Sequence, residues 1–389
     1  VPVVAGEIIY LNTNERIEAI DRISKELLWE FPLDAAIFQV RAGMRATARN
    51  QFRPNQRSVL LTADRLYAVL GLDLSQPWTN QEGRTSLVCL DRLTGRLLWK
   101  VKAGDVDASL GSAVFHGTPF SGGGRVYVLM RRRQSGVSDA EHVVALDAED
   151  GSLRWRRFLA SISTPRHQQV SPHGQMLVQD GRLFIIDHLG TVSCLQQRTG
   201  AIEWLRKVDA GATADQVLLR AARMSQTRFD SPPVLIEAGL VVNPYCSASA
   251  MLLDPATGQK LRDLTDRVIS GSAYLMASGT DMLSVGRTVY LLDGATLETR
   301  WKHQLSRTGS HASMGRPALT GRALWVASGD QLHVLNIENG HVLLVEQTFR
   351  FASTVADRHY VVEHGQVVDH MTSDEIAANT ERLEAFLGV

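Results

Sequence analysis

One unit recurs seven times along this 389-residue chain, and a recurring unit fixes the architecture before local propensities are weighed. The copies are "IEAIDRISKELLWEF", "LVCLDRLTGRLLWKV", "VVALDAEDGSLRWRR", "VSCLQQRTGAIEWLR", "AMLLDPATGQKLRDL", "VYLLDGATLETRWKH" and "LHVLNIENGHVLLVE". Each reads as an apolar strand, a polar anchor, a tight turn often ending in Gly, and a second strand. The anchors are Asp21, Asp91, Asp147, Gln196, Asp254, Asp293 and Asn336. Asp and Asn side chains bond to their own backbone two residues on, and Gly accepts positive φ, so the turn follows from its residues.

Eight residues after the anchor stand Trp29, Trp99, Trp155, Trp204 and Trp301, five of the chain's seven tryptophans. A large amphipathic plate in one repeat position is suited to joining neighbouring sheets. Removing one by Trp→Ala is expected to cost about 3–5 kcal/mol. The five tryptophans and Asp21, Asp91, Asp147, Asp254 and Asp293 are therefore read as structural docking residues. A further hairpin precedes each unit, for example "DRLYAVL", "GRVYVLM" and "GRLFIID", so a full unit supplies four short strands, the content of one propeller blade. Anchor spacings of 70, 56, 49, 58, 39 and 43 residues imply that the longer units carry inserted loops.

The motifs "LDRLTGRLLWK", "LDAEDGSLRW" and "LDPATG" resemble the repeat of the pyrroloquinoline-quinone-type propellers, over about residues 1–345. Relatives include the eight-bladed quinoprotein alcohol dehydrogenases, the lipoprotein of the outer-membrane β-barrel assembly machine and many bacterial envelope propellers. The expected fold is all-β: a seven-bladed β-propeller, eight blades being the alternative, with a short α/β C-terminal appendage. The resemblance implies a bacterial envelope or periplasmic location. It does not imply that the quinone is bound, since the repeat marks how blades dock. The family's enzymes carry a vicinal disulfide above the quinone, a calcium held by Glu and Asn, and an Asp base. Here Cys89, Cys194 and Cys246 are far apart, and no local Glu/Asn/Asp cluster stands out.

From about Val342 the chain changes character. "VLLVEQTFRFASTVADRHYVVEHGQVVDHMTSDEIAANTERLEAFLGV" resembles the C-terminal end of ABC-transporter ATPase subunits of the branched-chain amino acid and urea uptake type. No GxxxxGK[ST] loop, LSGGQ-like signature or Walker B strand accompanies it, so nothing could cradle a triphosphate. The expected division is a propeller over 1–345 and an ABC-like tail over 346–389, folded as helix–hairpin–helix with a capped start near Ser373.

Lys+Arg and Asp+Glu stand at 41 each, so no net field points to nucleic acid or an anionic membrane. No apolar run reaches the length of a membrane span. The opening at Val1, without a Met or a signal-like segment, suggests a processed chain or a fragment. One insertion stands out: "DAAIFQVRAGMRATARNQFRPNQR" sets Arg41, Arg45, Arg49, Arg53 and Arg57 four apart, a basic ridge on an expected helix from about Asp34 to Phe52. It suits an acidic partner or phosphate surface, or a solvated helix face. The segment from Ala212 to Phe229 reads as a second helical insertion. His167, His173 and His188 match no common ligand spacing, and "RRRQSG" at Arg131 reads as an exposed hairpin loop. No catalytic motif, metal site or cofactor site is expected.

The functional expectation is a non-catalytic scaffold that binds a protein partner or an extended ligand on the face carrying the long insertions. The alternative is a small-ligand or quinoprotein-type enzyme domain with its site in the central channel; a component associated with an ABC uptake system ranks below both.

Overall fold

The computed structural model describes residues 3–13, 16–32, 58–71, 83–134, 138–163, 174–187, 189–208, 231–244, 247, 249–270, 272, 274–305, 316–328, 331–342, 358–363, 366–372 and 375. The chain divides into two compact units, Val1–Arg316 and Pro317–Val389.

In the first unit six four-stranded antiparallel sheets follow one another along the chain. The first holds β1 (Val3–Ala5), β2 (Ile8–Asn12), β3 (Arg16–Asp21) and β4 (Leu27–Pro32). The second holds β5 (Val59–Leu61), β6 (Arg65–Leu70), β7 (Ser86–Asp91) and β8 (Leu97–Lys102), and a helical turn α1 (Ala103–Val106) follows it. The third, with the longest strands, holds β9 (Val114–Gly122), β10 (Arg125–Gln134), β11 (Ser138–Asp147) and β12 (Leu153–Ser163). The fourth holds β13 (Gln175–Gln179), β14 (Arg182–Ile186), β15 (Thr191–Gln196) and β16 (Ile202–Lys207). The fifth holds β17 (Val234–Ile236), β18 (Gly239–Val242), β19 (Ala250–Leu253) and β20 (Lys260–Leu264), with α2 (Arg267–Ser270) after it. The sixth holds β21 (Tyr274–Ser278), β22 (Asp281–Val285), β23 (Thr288–Leu292) and β24 (Thr299–Gln304).

The second unit contains the seventh repeat as β25 (Ala318–Thr320), β26 (Ala323–Ser328) and β27 (Gln331–Asn336), and a separate hairpin of β28 (Arg358–Glu363) and β29 (Gln366–Thr372). Val342 bridges Leu335, the register in which the fourth strand of every earlier repeat begins, as in Leu97 opposite Leu90. The fold is a seven-bladed β-propeller, with few helices among the described residues. The expected tail helices fall outside the described residues; the hairpin between them is present. The capped start expected at Ser373 also lies outside the described residues; the Thr372 amide, at the end of β29, donates to the Glu375 carboxylate at 2.9 Å.

The middle strands of the second to fifth sheets are apolar on both faces because each face meets a neighbouring sheet. Leu66 and Ala68 of β6 pack toward the first sheet, while Tyr67 and Val69 between them pack toward the third. The same alternation puts Leu129 and Val143 against Met176, Leu183 and Ile185 of the fourth sheet. Burying each such Leu, Val or Phe contributes about 1.5–3 kcal/mol, so successive sheets are joined by apolar seams.

Up-and-down strands give every sheet two unlike ends. Within the first unit, first-to-second and third-to-fourth strand connections take two to six residues, such as 62–64 and 92–96. Every longer connection leaves from the opposite end, including 71–85, 164–174 and the 26-residue stretches 33–58 and 208–233. That second end is the insertion end.

Arg131 corrects one expectation. It belongs to β10, not to an exposed loop, and is 3% exposed. The long strands of the third sheet carry it inward, where it lies opposite Glu141 in the β10–β11 ladder.

Candidate functional site

The repeat's polar anchors build their turns as local hydrogen bonding requires. Asp91 accepts from the amides of Leu93 and Thr94 at 3.1 and 2.9 Å, and Asp254 from those of Ala256 and Thr257 at 2.9 and 2.7 Å. Asp21, Asp147 and Asp293 accept in the same way. The amide four residues after the anchor then closes the turn onto the anchor's carbonyl, as Gly95 does to Asp91 at 2.9 Å. A bulge follows, and the tryptophan faces the residue two before the anchor: Trp99 opposite Cys89, Trp155 opposite Ala145, Trp204 opposite Cys194. The two cysteines are thus small buried partners to an indole. Burial raises their thiols, to about 11 for Cys89 and about 12 for Cys194.

Each indole then meets the next sheet. Trp99 donates from Nε1 to the Ala148 carbonyl at 3.1 Å, Trp155 to Gln197 at 3.2 Å and Trp204 to Pro255 at 3.0 Å. The acceptor is always the residue after the next anchor. Tyr67 and Tyr127 reach the same two carbonyls, of Ala148 and Gln197, each at 3.3 Å. In the first sheet Tyr10 donates to Arg92 at 3.2 Å, while Trp29 lies over the ring-facing side of Gly95. Trp301 is half-buried on β24.

A different chemistry occupies the seam between the third and fourth sheets at the insertion end. His116, two residues into β9, holds Glu141 of β11 through Nε2 at 2.7 Å; the two are 3% and 0% exposed in their side chains. Burial and the nearby Arg131 guanidinium hold the His116 ring well below its ordinary protonation range. Alternation from Leu129 and Val143 puts Arg131, Asp139 and Glu141 on the face turned to the fourth sheet. From that sheet comes Asp187, just past β14 and 1% exposed. It accepts from the amides of Leu189 and Thr191 at 2.9 and 2.7 Å, and the Thr191 hydroxyl donates to its other oxygen. Burial, opposed by these bonds and reinforced by the Glu141 charge, pushes Asp187 up to about 7. His142 points to the other face of β11, edge-on to Phe158, and burial together with Arg156 and Arg132 lowers it to about 4.

Apart from Arg131, read from the sequence as an exposed loop residue, none of this buried cluster was singled out from the sequence. The available signal was polar residues at inward parity in apolar strands, in "VFHGTP" and "AEHVVALD". Arg41, Arg45, Arg49, Arg53 and Arg57, together with His167, His173 and His188, lie outside the described residues. Among the described residues no group of three or more His, Cys, Asp or Glu is placed to hold a metal ion, and no helix is long and apolar enough to cross a membrane.

Four-stranded sheets in series, docked tryptophan to turn, define a β-propeller of the quinone-type repeat. A family model described as "Outer membrane protein assembly factor BamB" matches residues 1–262, and the chain belongs to that family. It is 22% identical over 272 residues to the outer membrane protein assembly factor BamB of Yersinia pestis, an alignment spanning 69% of this chain and 58% of the relative. The crystal structure of BamB from Moraxella catarrhalis is similar over 88% of this chain and 86% of its own, with TM-score 0.53 and 17% identity. Quinohemoprotein alcohol dehydrogenase from Comamonas testosteroni is similar over 88% of this chain and 65% of its own, with TM-score 0.52 and 12% identity, a likeness of fold alone.

Proposed function

We propose that this chain is a non-catalytic scaffold of the bacterial envelope that binds a protein partner in outer-membrane protein assembly, through the insertion end of its sheets. The observation that carries the reading is the inequality of the two ends: turns of two to six residues at one, every longer connection at the other. A rigid sheet stack that concentrates its sequence variation on one end presents a binding surface there. The basic residues Arg41, Arg45, Arg49, Arg53 and Arg57 fall in the 33–58 connection and fit an acidic partner surface. Family membership supports the partner class.

A quinoprotein reading fits this chain less well. Cys89 and Cys194 sit in separate sheets, each buried beside its own tryptophan, and cannot supply a vicinal pair. We place the propeller at residues 1–345 and treat 346–389 as an ABC-like tail with no nucleotide chemistry of its own.

The test uses a bacterium that encodes the chain. Removing it should lower the amount of folded outer-membrane β-barrel protein, measured by heat-modifiable migration on gels. The intact chain should restore that amount; a variant with 34–57 replaced by a ten-residue Gly/Ser linker should not. Unchanged levels without the chain would overturn the proposal. Full rescue by the shortened variant would remove the 34–57 insertion from it.

A further inference from the structure

The third sheet buries a second histidine, on the face turned to the second sheet. His142 of β11 is 7% exposed, and neither its Nδ1 nor its Nε2 has a hydrogen-bond partner among the described residues. His116, on the face turned to the fourth sheet, is by contrast held by Glu141 at 2.7 Å. Buried polar groups in native proteins are bonded to protein, water or an ion. A neutral imidazole offers one donor and one acceptor, so a buried ring that uses neither within the chain points to a ligand.

The neighbours of the ring say what that ligand carries. Register puts Met130 of β10 and Phe158 of β12 directly opposite His142. Arg132 lies two residues beyond Met130 and Arg156 two before Phe158, so both are diagonal neighbours of His142 on one face. Met130 and Val144 pack from that face into the apolar seam with Tyr67 and Leu87 of the second sheet. Arg132 is partly buried, and its Nε too has no partner among the described residues. Phe158 meets the His142 ring edge-on at 5.4 Å and sets its plane. The connection from β8 to β9 covers the seam here, with α1 and then a 3₁₀ turn at Ala108–Leu110. Its Asp107 pairs with Arg156 at 2.9 Å and accepts from the Ser109 amide at 2.8 Å. The His142 base of the cluster is thus buried, whereas Phe158 at its mouth is 46% exposed.

We propose that His142, Arg132 and Arg156 form a binding site for a phosphate-type oxyanion, with the Asp107 carboxylate as an internal competitor for Arg156. The donor set selects an anion: guanidinium groups only donate, and the one carboxylate at the mouth already accepts from Arg156 and from the Ser109 amide. Donors carried on three adjacent strands reach the ligand from different directions. That suits the tetrahedral oxygens of phosphate, whereas a planar carboxylate is satisfied by a single guanidinium fork. When phosphate binds, its oxygens replace the Asp107 carboxylate on Arg156, accept from Arg132 and take the imidazole N–H; Asp107 turns to solvent and keeps its bond from the Ser109 amide.

The experiment titrates inorganic phosphate into the full chain by calorimetry at constant ionic strength, with acetate in a parallel arm, and follows the ring of His142 by NMR of histidine-labelled protein. Phosphate should bind saturably and shift the His142 ring resonances; acetate should bind more weakly. Arg132→Gln and Arg156→Gln should each weaken phosphate by about tenfold or more, the worth of a hydrogen bond to a charged group. Asp107→Asn keeps the acceptor oxygen for Ser109 but removes the one like charge at the mouth, so it should bind phosphate several-fold tighter. A gain of affinity cannot come from a damaged fold, so this variant carries the test even where an arginine variant unfolds. No saturable binding to the wild type and Asp107→Asn would overturn the proposal. So would binding that leaves the His142 ring unmoved, an Asp107→Asn affinity no higher than wild type, or acetate bound as tightly as phosphate.

Discussion

Glycine at the end of the repeat's turn answers two demands at once. Gly95, Gly151, Gly200 and Gly258 have φ between +68 and +74°, the left-handed region that side chains disfavour. Each also lies under the tryptophan of the preceding sheet, and a Cβ on Gly200 would stand 2.5 Å from the Trp155 ring. Gly124 separates the two demands, since its φ is +71° but nothing lies within 4 Å of its Cβ position. Gly124→Ala should therefore cost only the backbone part, about 1 kcal/mol. Gly200→Ala must also displace the indole, and should lose about 2–4 kcal/mol through backbone strain and a disturbed seam together. Urea denaturation of the two variants measures the difference. Equal losses would mean that the indole contact contributes nothing.

At the scale of the element, the turn and the strand after it act as a pair that spans two sheets. The fifth sheet has Arg262 where the other five sheets of the first unit have Trp, and the turn of the sixth sheet has Leu297, at φ +63°, where the second to fifth have Gly. The plate and its landing site are lost together, which is how a packing contact reads when written in sequence. This explains why the repeat was legible: Asp, Gly and Trp stand at fixed short spacings, and each spacing encodes a local bond or a neighbour's footprint. The ionisable seam was not legible for the opposite reason. His116 and Glu141 come from two strands of the third sheet and Asp187 from the segment just past β14 of the fourth, and only the stacking of those sheets brings them together. Arg131 misled because a run of three arginines suggests solvent, whereas the longer strands of the third sheet carry the first of them inside. The anchor carboxylates make a further prediction at this scale. Asp91 is held below its ordinary value first by the Thr94 hydroxyl and then by the turn's backbone amides; Asp254 first by the Thr257 amide and then by its hydroxyl. Asp293 is lowered to about 2, first by the Thr296 amide. A lowered carboxylate adds stability that is complete above pH 3.8 and is lost as pH falls toward about 2. The variant Asp91→Asn/Asp254→Asn keeps the acceptor oxygens but removes the charge. Its stability should fall less steeply than wild type as pH drops below 3.8, as followed by circular dichroism during denaturant titration; an identical acid limb would show that the turns do not titrate with folding.

For the whole molecule, the proposed function assigns the two unequal ends of the sheets different work, one holding the fold and the other recognising a partner. Among the described residues the seams rely on the middle strands and on the tight-turn end, where the tryptophans land; the 33–58 connection joins β4 to β5. Shortening that connection to a ten-residue linker changes the loop-closure entropy by only about 1 kcal/mol. Ten residues can still cover roughly 33 Å when extended, ample for neighbouring sheets. The shortened variant should therefore keep the wild-type far-ultraviolet circular dichroism, with a midpoint of thermal unfolding within a few degrees. Its effect on outer-membrane assembly should be large all the same. The combination matters more than either result alone. Intact folding with lost function assigns recognition to the insertion end, whereas a large drop in melting temperature would mean that the insertion belongs to the core and that any functional loss is a loss of fold.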